Sequence, residues 1–596
     1  MKTVMTIIPA LALMASVSAC MDIPPIPIDV AKGDYGVASR YVADLMDRNM
    51  SKNKIKGVSI VLIDDQKIVW SSGFGNADDE AGIPAKPETV YGAGTATQVI
   101  TAAAVMQLHE KGLVDLDKPY TDYVPEFSIK TRFPDAPPFT VRDILTHHSG
   151  MPSEWFHGDF TKKPETIQSL FPMLAGTYMA YPPGTLFSPS NLAYSLLGAL
   201  IKKVSGMEYE DYVGLNILKP LGMNSSTFSK YGKKIPSMAV AYKVGKPKVE
   251  YPTRDVAAQG LYTSVLDMAK FMQVFFSGGA NILSPKSAAE MLKQQNERAP
   301  MDMSIRMGLG WKVYDPADLG YAGKVAFIDG ASVYYRMTMI MLPDHKIGAI
   351  ALSSTPTAKL ILDYACFEAV KIMLQAKTGI RQPKQTAPAR EVDNPPSKKD
   401  LAGIAGLYAT SIGAMAVNAR DGYLETDVSK ATIRMHPLQG GGFRPEVRVL
   451  GLFPVTIKQL DLVVLSFDKV VFDRVSGHQA LILKLPDASY LLGTRIHRVP
   501  ISKAWSDRAG KYSLVNRGDN QFYIDDLRIF MDNGYLFMEF LIPEIGKEKS
   551  KFALDPVSDT ESVAAGFGRY LGETISVIKV DGSEALTYSG YIFKRN

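Results

Sequence analysis

Two polar side chains, Thr95 and Gln98, stand three residues apart at the start of a predicted buried helix, a spacing that suits a nucleophile and its base. Apolar residues recur at Val99 and Ala103, and Gly112 ends the pattern, so a helix is predicted to begin just after Thr95. A hydroxyl at the first turn can face a cleft and attack an acyl group. Glutamine cannot take the proton, because an amide has no useful basicity near neutral pH.

The segments on either side of this helix are predicted to form the sheet that positions it. Residues 57–63 and 67–75 alternate as two strands around a turn at 64–66, which favours a β-hairpin leading to the helix. A second hairpin is predicted from 336–341 and 347–352. Ser264 and Asp267 have the spacing of a capping box before another apolar helix.

Several motifs in this part of the chain resemble the serine β-lactamase and penicillin-binding-protein superfamily. The resemblance is to its class C-like branch, with related esterases and D-aminopeptidases, and covers roughly residues 35 to 376. The motifs are Tyr91 to Thr101, Phe139 to Pro152, Tyr181 to Asn191, Ala258 to Phe271 and Met307 to Trp311. The resemblance implies an α/β (α+β) domain with a central antiparallel sheet, a helical subdomain and a site in the groove between them.

The family's chemistry uses Ser-x-x-Lys at the helix start, Tyr-x-Asn on a loop and a strand triplet that begins with Lys or His and ends in Gly. The serine attacks, lysine and tyrosine exchange its proton, and backbone N–H groups stabilise the oxyanion. In this chain the first motif is Thr95-Ala96-Thr97-Gln98. Threonine keeps the hydroxyl, but its extra methyl group restricts χ1 and crowds the attack path.

The other two motifs also lack their proton-handling residues. Pro189-Ser190-Asn191 occupies the Tyr-x-Asn position, so the asparagine remains while the phenol is absent. Counting along the strand places Ile328-Asp329-Gly330 at the third motif, where the basic residue is gone and the glycine remains. A shifted register could instead bring Lys324 there.

These substitutions predict a catalytically degenerate member of the family, because losing one member of a nucleophile–base unit can lower the rate about a millionfold. Its groove is then expected to bind a peptide, a peptidoglycan-like ligand or another envelope protein. One alternative is a working hydrolase in which Thr95 attacks with an unidentified base, and another is a carrier whose ligand lies in the C-terminal region. His147 and His148 are interpreted as structural. Ser51 to Lys54 and Ser466 to Lys469 also fit Ser-x-x-Lys, but neither opens a buried helix.

The N-terminus has the pattern of a bacterial lipoprotein signal peptide. Lys2 precedes an apolar segment of about a dozen residues, too short to span a bilayer as a helix. Val17 to Cys20 resembles a lipobox, in which Cys20 would be acylated and would anchor the protein in the cell envelope, on its periplasmic or extracellular face. The other cysteine, Cys366, lies in an apolar helical segment and is interpreted as a buried core thiol.

Length and composition predict a multidomain globular protein. The chain has 596 residues, 46% of them apolar and 21% charged, and a net charge of +5. No long basic block indicates nucleic-acid binding, and no cofactor or metal is expected. The predicted division is a signal peptide (1–19), a Pro-rich spacer (20–34), the β-lactamase-like domain (35–377), a Pro-rich linker (378–399) and a β-rich domain (400–596).

The β-rich domain carries a faint internal duplication. Ala405 to Tyr408 followed by Arg420 to Leu424 recurs as Ala509 to Tyr512 followed by Asp532 to Leu536. Short alternating strands such as 462–467 and 481–485 favour a β-barrel or sandwich. The two halves are predicted to build one eight-stranded barrel, and the region resembles the lipocalin-like domains that accompany some members of the family. A filled core is expected in preference to a ligand cavity.

Overall fold

A computed structural model describes residues 21–228, 233–313, 319–383, 390–428, 431–449, 453–454, 469–485, 488–546 and 548–596. The predicted signal peptide, Cys20, the predicted strand at 462–467 and Ser466 lie outside the described residues. No helix among the described residues is both long and apolar enough to cross a bilayer.

The first domain is built on a six-stranded antiparallel sheet. Its strands are β1 (Gly57–Asp64), β2 (Lys67–Asp78), β3 (Ile83–Pro84), β9 (Ala326–Ala331), β10 (Arg336–Leu342) and β11 (Ile347–Ser353), and they lie in the order β3-β2-β1-β11-β10-β9. Both predicted hairpins are confirmed, β1 pairing with β2 and β10 with β11. Smaller pairings join β4 (Tyr91–Gly92), β5 (Thr227–Phe228) and β8 (Leu261–Thr263), and β6 (Ala241–Lys243) with β7 (Lys246–Lys248).

Helices cover both faces of this sheet and form the helical subdomain. They are α1 (Gly36–Asn49), α2 (Thr97–Glu110), α3 (Val141–Leu145), α4 (Phe171–Leu174), α5 (Asn191–Ser205), α6 (Tyr209–Val213), α7 (Val256–Gln259), α8 (Val265–Phe276), α9 (Pro285–Met291) and α10 (Lys359–Thr378). Ser264 caps α8 as predicted, accepting from the Asp267 N–H, but the Asp267 carboxylate does not accept from the Ser264 N–H, so the predicted capping box is incomplete. The Asp267 carboxylate instead accepts from the Ser225 N–H at 2.8 Å.

Helix α2 is the buried centre of the domain, as its apolar sequence predicts. Every residue from Thr97 to Leu108 is buried, and a short 3-10 turn, Gly94–Ala96, precedes it. Two glycines let this turn lie directly against β9. A Cβ on Gly94 would stand 2.2 Å from the Ala331 carbonyl carbon, and one on Gly330 would stand 2.0 Å from the Ala93 oxygen. The helix start is therefore held against the strand by backbone contact.

The N-terminal segment predicted as a spacer lies along the domain surface. Met21 is buried against the α1–α10 face. The Asp22 N–H donates to Asn49 Oδ1 at 2.7 Å, and Gln375 donates to the Ile28 carbonyl at 2.9 Å. Cys366, on α10, is fully buried, and burial raises the pKa of its thiol well above the ordinary value, as expected for a core residue.

The C-terminal region forms two eight-stranded barrels, where the sequence pattern predicted one. Helix α11 (Lys398–Leu401) precedes the first barrel. Barrel 1 consists of β12 (Gly406–Thr410), β13 (Gly413–Arg420), β14 (Tyr423–Val428), β15 (Ala431–Pro437), β16 (Phe443–Val449), β18 (Lys469–Val475), β19 (His478–Lys484) and β20 (Ser489–Ile496), with β17 (Phe453–Pro454) paired to β16. Its ring is complete because β15 pairs with β16 and the first strand, β12, pairs with the last, β20.

Barrel 2 follows helix α12 (Lys503–Asp507) and closes through the pairing of its first and last strands. Its strands are β21 (Gly510–Leu514), β22 (Asp525–Asp532), β23 (Tyr535–Leu541), β24 (Ser550–Pro556), β25 (Glu561–Ala564), β26 (Thr574–Val580), β27 (Ser583–Tyr588) and β28 (Tyr591–Arg595). Buried apolar and aromatic side chains form a hydrophobic core in each barrel.

In both barrels the first and last strands are joined by the same set of contacts, which explains the duplicated sequence. Tyr408 of β12 pairs with Arg495 of β20, and its hydroxyl donates to the Ile404 carbonyl at 2.8 Å. Arg495 donates to the Gly403 carbonyl at 2.8 Å. A Cβ on Gly406 would stand 2.7 Å from the Arg495 guanidinium, so the glycine makes room for it.

In barrel 2, Tyr512 pairs with Arg595, and its hydroxyl donates to the Arg508 carbonyl at 2.7 Å. Arg595 donates to the carbonyls of Asp507 and Ala509 at 2.9 and 2.6 Å, and Gly510 occupies the position of Gly406. Each repeat therefore carries its own Gly-x-Tyr and its own arginine, and each closes a complete ring.

Arg495→Ala and Arg595→Ala are each expected to lower the free energy of unfolding of their own barrel by about 1–2 kcal/mol, because each removes charge-assisted hydrogen bonds to backbone carbonyls. Hydrogen exchange measured strand by strand would show faster exchange in β12 and β20 for the first variant and in β21 and β28 for the second. Arg298→Ala, at an exposed position, is the control. If either variant accelerated hydrogen exchange equally in both barrels, the conclusion that each arginine stabilises only its own barrel would be contradicted.

Candidate functional site

The Thr95 hydroxyl is hydrogen-bonded to strand β9. It donates to the Asp329 carbonyl at 3.2 Å and accepts from the Ala331 N–H at 3.3 Å. Among the described residues, no hydrogen bond joins it to Gln98. The Ala331 N–H is the strand donor that would stabilise an oxyanion in an acyl transfer, so the threonine hydroxyl occupies one of the groups that catalysis would need.

Gln98 connects the other site residues through its amide. Its Nε2 donates to Asn191 Oδ1 at 3.0 Å, and its Oε1 lies 3.1 Å from His147 Nε2. The Ser190 N–H donates to His147 Nδ1 at 3.3 Å, so Nδ1 is the acceptor and Nε2 carries the proton that Gln98 accepts. Burial lowers the pKa of His147 well below the ordinary value, with His148 adding to the effect, which keeps the ring neutral.

The positions of the second and third motifs lie around this network. Ser190 caps α5, accepting from the Ala193 N–H and donating to the Pro152 carbonyl at 2.6 Å, while the Pro189 ring offers no hydroxyl. Gly330 and Ala331 contact the 94–96 turn, which places Ile328 two residues back on the same face of β9, where it is 5% exposed. Lys324 precedes β9 at an exposed position and is not part of the network.

Asn191 leads to a buried carboxylate, that of Glu154. The Asn191 Nδ2 group donates to Glu154 Oε1 at 2.9 Å. The guanidinium of Arg569, from barrel 2, pairs with the same carboxylate oxygen. Burial raises the pKa of Glu154 to about 7, outweighing the opposing effect of Arg569. A residue 415 positions away in the sequence therefore completes the polar network of the first domain.

The segment of barrel 2 that carries Arg569 is fixed to the first domain by further hydrogen bonds. The Ser153 N–H donates to Glu573 at 2.8 Å, and the Tyr570 N–H donates to the Ser153 hydroxyl at 3.0 Å. The Tyr181 hydroxyl donates to the Gly568 carbonyl at 2.8 Å. Segment 568–573 of barrel 2 thus forms one wall of the site.

The side chain of Asp329 points away from the groove into a buried cluster of charges. Lys312 pairs with its carboxylate, and Lys359 lies 4.0 Å from it. Burial alone would raise the pKa of Asp329, but Lys312 and Lys359 hold it well below its ordinary value. Lys359 also pairs with Asp363, which accepts from the Thr338 hydroxyl at 2.6 Å. This cluster anchors the back of β9 to helix α10.

Glu250 holds the segment that follows β9. Its carboxylate accepts from the Ser332 hydroxyl and the Tyr334 N–H, both at 2.8 Å. Burial raises the pKa of Glu250 to about 7. Next to it lies a cavity of about 10 Å³, which has room for about one water molecule; its lining includes Glu250, Gln259 and Tyr262.

The two histidines and the stray Ser-x-x-Lys match differ in how they relate to the site. His148 lies 2.7 Å from Asp302 and ties two loops together, as a structural role requires. His147 adopts a left-handed turn conformation, with φ of 62°, and also contacts Gln98. Ser51 and Lys54 are exposed, in a turn after α1. The interpretation of His147 as a turn residue alone therefore missed its place in the network.

Sequence reasoning also missed Glu154, Gln259 and Arg569. Glu154 lies two residues after the motif that ends at Pro152, and Gln259 lies inside the motif from Ala258 to Phe271, so motif order does indicate that both are close to the site. Arg569 has no local sequence signal, because its position depends on how barrel 2 packs against residues 153–160.

The fold and the site together show which class of protein this chain belongs to. An antiparallel sheet, a buried helix whose first turn contacts the edge strand and an asparagine at the start of α5 are the framework of a penicillin-binding-protein-like domain. Solved structures agree with this fold. The octameric penicillin-binding protein homologue from Pyrococcus abyssi has a TM-score of 0.51 and 22% identity, covering 87% of this chain and 99% of that one. SurE, in a structure with D-Leu, has a TM-score of 0.53 and 21% identity, covering 77% and 100%.

The family model described as Beta-lactamase matches residues 40–363, more than half of the sequence, and the chain belongs to this family. Among curated relatives, Protein flp of Staphylococcus aureus (strain MW2) is 25% identical over 269 residues, which is 44% of this chain and 52% of that protein. The chain thus spans about half the length of this relative.

Glu250 is expected to make stability depend on pH. Its pKa is raised in the folded protein from 4.5 to about 7. The stabilisation contributed by the protonated carboxyl is therefore fully present below about pH 4.5, and the free energy of unfolding declines as pH rises from there towards 7. Glu250→Gln should remove up to about 3 kcal/mol of this decline in unfolding free energy, measured by denaturant titration between about pH 4.5 and 8. Glu297→Gln, at an exposed position, should leave it unchanged. An unaltered pH profile for Glu250→Gln would show that the carboxyl titrates normally.

Proposed function

We propose that this protein is a non-catalytic member of the Beta-lactamase family that binds a ligand or partner at the former active-site groove. The observation that carries this proposal is the hydrogen bonding of Thr95, whose hydroxyl is turned to the Asp329 carbonyl and the Ala331 N–H. The residue at the base position, Gln98, is an amide tied to Asn191 and His147. An acyl transfer would need a free hydroxyl, a base and an open oxyanion site together.

The alternative of a hydrolase that uses Thr95 requires a base, and the titratable groups of the network do not suit that role. His147 presents its protonated nitrogen to Gln98, while its other nitrogen accepts from the Ser190 N–H. Glu154 is separated from Thr95 by Asn191 and Gln98 and is paired with Arg569. Neither group is hydrogen-bonded to the Thr95 hydroxyl, which supports binding over turnover.

The proposed ligand is a peptide or peptidoglycan-like molecule, or a segment of another envelope protein. Much of the groove floor is filled, since Gln98, Asn191 and Gln259 are all buried and the adjoining cavity holds about 10 Å³. A ligand would therefore contact the mouth of the groove, where Thr95 is partly exposed and segment 568–573 of barrel 2 forms the wall.

The carrier hypothesis has less support than groove binding. The barrel cores are filled by buried side chains such as Tyr408, Phe537 and Tyr591. Barrel 2 has an open cleft of about 390 Å³ between β21 and β22, but its walls include the exposed and charged side chains of Arg517 and Asp525. Such a wall differs from the apolar, enclosed lining expected of a small apolar ligand's site.

The proposed location is the cell envelope, with a lipid anchor at Cys20. The lipobox-like Val17 to Cys20 supports this, because an acylated Cys20 would tether the protein to a membrane surface.

Fluorescent penicillin and a serine-directed phosphonate are expected to leave the protein unlabelled, and peptidoglycan fragments should be recovered uncleaved after incubation. The reason is that Gln98 cannot deprotonate Thr95. Labelling is read by gel fluorescence and intact mass, with Thr95→Ala as the matched variant. Stoichiometric labelling that disappears in Thr95→Ala would overturn the non-catalytic assignment.

The double variant Thr95→Ser/Gln98→Lys, which restores the Ser-x-x-Lys motif, tests the same assignment in the opposite direction. Little ester hydrolysis is expected, because Pro189 still lacks the phenol and Ile328 still lacks the cation. Rapid hydrolysis by this double variant would show that those two positions are not needed.

Lipidation predicts that the mature protein begins at an acylated Cys20. Mass spectrometry of the N-terminal peptide, from protein purified out of membranes, would identify the thioether-linked lipid. Cys20→Ser should be recovered without that mass addition. A mature N-terminus with a free amine at any other residue would refute the anchor.

A further inference from the structure

The hairpin β6–β7 displays exposed apolar side chains among unpaired lysines. Val244, at its turn, is 64% exposed, and Val249, just after β7, is 66% exposed. Ile545, next to the hairpin on a loop of barrel 2, is 68% exposed. Of the large apolar side chains in the described ranges, only Ile28, at 79%, is more exposed. We call Val244, Lys246, Lys248, Val249 and Ile545 the hairpin patch.

The sequence that leads into and forms the hairpin is positively charged. From Tyr212 to Val249 the sequence has seven lysines and no acidic residue. Lys246 and Lys248 are exposed and form no ion pair with any described residue. Two nearby acids are engaged elsewhere: Glu250 bonds inward to residues 332–334, and Glu544 pairs with Lys243 at 2.9 Å. The acidic segment 78–80 lies on the Tyr242 side of the hairpin, where the Asp79 N–H donates to the Tyr242 hydroxyl and the Asp79 carboxylate pairs with Lys56 at 2.6 Å. Lys246 and Lys248, on the strand between the two exposed valines, therefore place unpaired positive charge beside them.

The hairpin patch is held in a fixed position. Lys243 Nζ donates to the carbonyls of Pro543 and Glu544 at 3.2 and 3.0 Å, which joins the hairpin to the loop that carries Ile545. On the other side, Tyr242 is buried and donates through its backbone N–H to the Ser354 carbonyl at 2.8 Å. The apolar tips are thus presented by a preorganised surface that needs no ordering on binding.

We propose that the hairpin patch docks onto an anionic membrane surface. Lysines beside such a surface are attracted to acidic headgroups, and small apolar side chains can enter the boundary between headgroups and acyl chains. A soluble anionic polymer would use the lysines but would gain nothing from the exposed Val244, Val249 and Ile545. The patch lies beside Glu250 and the segment after β9, so docking would place the mouth of the groove near the membrane. This inference does not depend on the lipid anchor or on ligand binding in the groove.

The test uses residues 21–596, which contain all the described elements and lack Cys20. Sedimentation with phosphatidylcholine vesicles containing about 30 mol% phosphatidylglycerol should recover the protein, while pure phosphatidylcholine vesicles and high salt should not. Lys246→Gln/Lys248→Gln should weaken partitioning about tenfold or more. Val244→Ser/Val249→Ser should weaken it several-fold. Lys286→Gln/Lys293→Gln and Val515→Ser/Val557→Ser, at exposed positions elsewhere, are the matched controls.

A fluorescent label reports insertion directly. Val244→Cys carrying an environment-sensitive dye should shift to the blue with phosphatidylglycerol vesicles, whereas Val515→Cys should not; Cys366 is buried and does not compete for the dye. Equal binding to both vesicle types, or equal loss in the control variants, would overturn the proposal. Binding to soluble polyglutamate with no binding to vesicles would overturn it in favour of an anionic polymer.

Discussion

The buried carboxylate of Glu154 is the group on which the arrangement of the site depends. A chain of hydrogen bonds ends at this carboxylate: His147 donates to Gln98, Gln98 donates to Asn191, and Asn191 donates to Glu154. Arg569 supplies the cation from the other side. Burial raises the pKa of Glu154 to about 7 even with these partners, and without them the carboxyl would be still harder to ionise. Because each donor in the series orients the next, the amides act as a fixed line of dipoles that stabilises the carboxylate.

This line of dipoles explains why the substitutions in the catalytic motifs are compatible with one another. A lysine at position 98 would bring a second cation towards a carboxylate that already has Arg569. A neutral glutamine both donates to Asn191 and accepts from His147, so all three polar side chains are satisfied. Amides have no useful acidity or basicity near neutral pH, so Gln98 and Asn191 hold His147 and Glu154 in place without exchanging protons with them. The site network is thus part of the interface between the first domain and barrel 2.

The sequence predicts well those features that local pattern controls. Helix α2, the two hairpins and the closeness of Gly330 to the 94–96 turn follow from periodicity and motif order. Arg569 could not be predicted, because its contact with Glu154 depends on how barrel 2 packs against the first domain. The duplication was visible, but its consequence was misjudged. Each repeat has its own Gly-x-Tyr and closing arginine, so each closes its own ring, and two barrels form where one was predicted.

The retained hydroxyl of Thr95 has a structural explanation. The Ala331 N–H and the Asp329 carbonyl both bond to it, so an apolar residue at this position would leave a backbone donor and acceptor of β9 without these partners. The β-branch of threonine restricts χ1 and can hold the hydroxyl towards the strand, whereas serine would rotate more freely. The residue type therefore suits a cross-link between the helix start and the strand. A hydroxyl at this position can therefore be retained for the two backbone hydrogen bonds that it makes to β9, whether or not it takes part in a reaction.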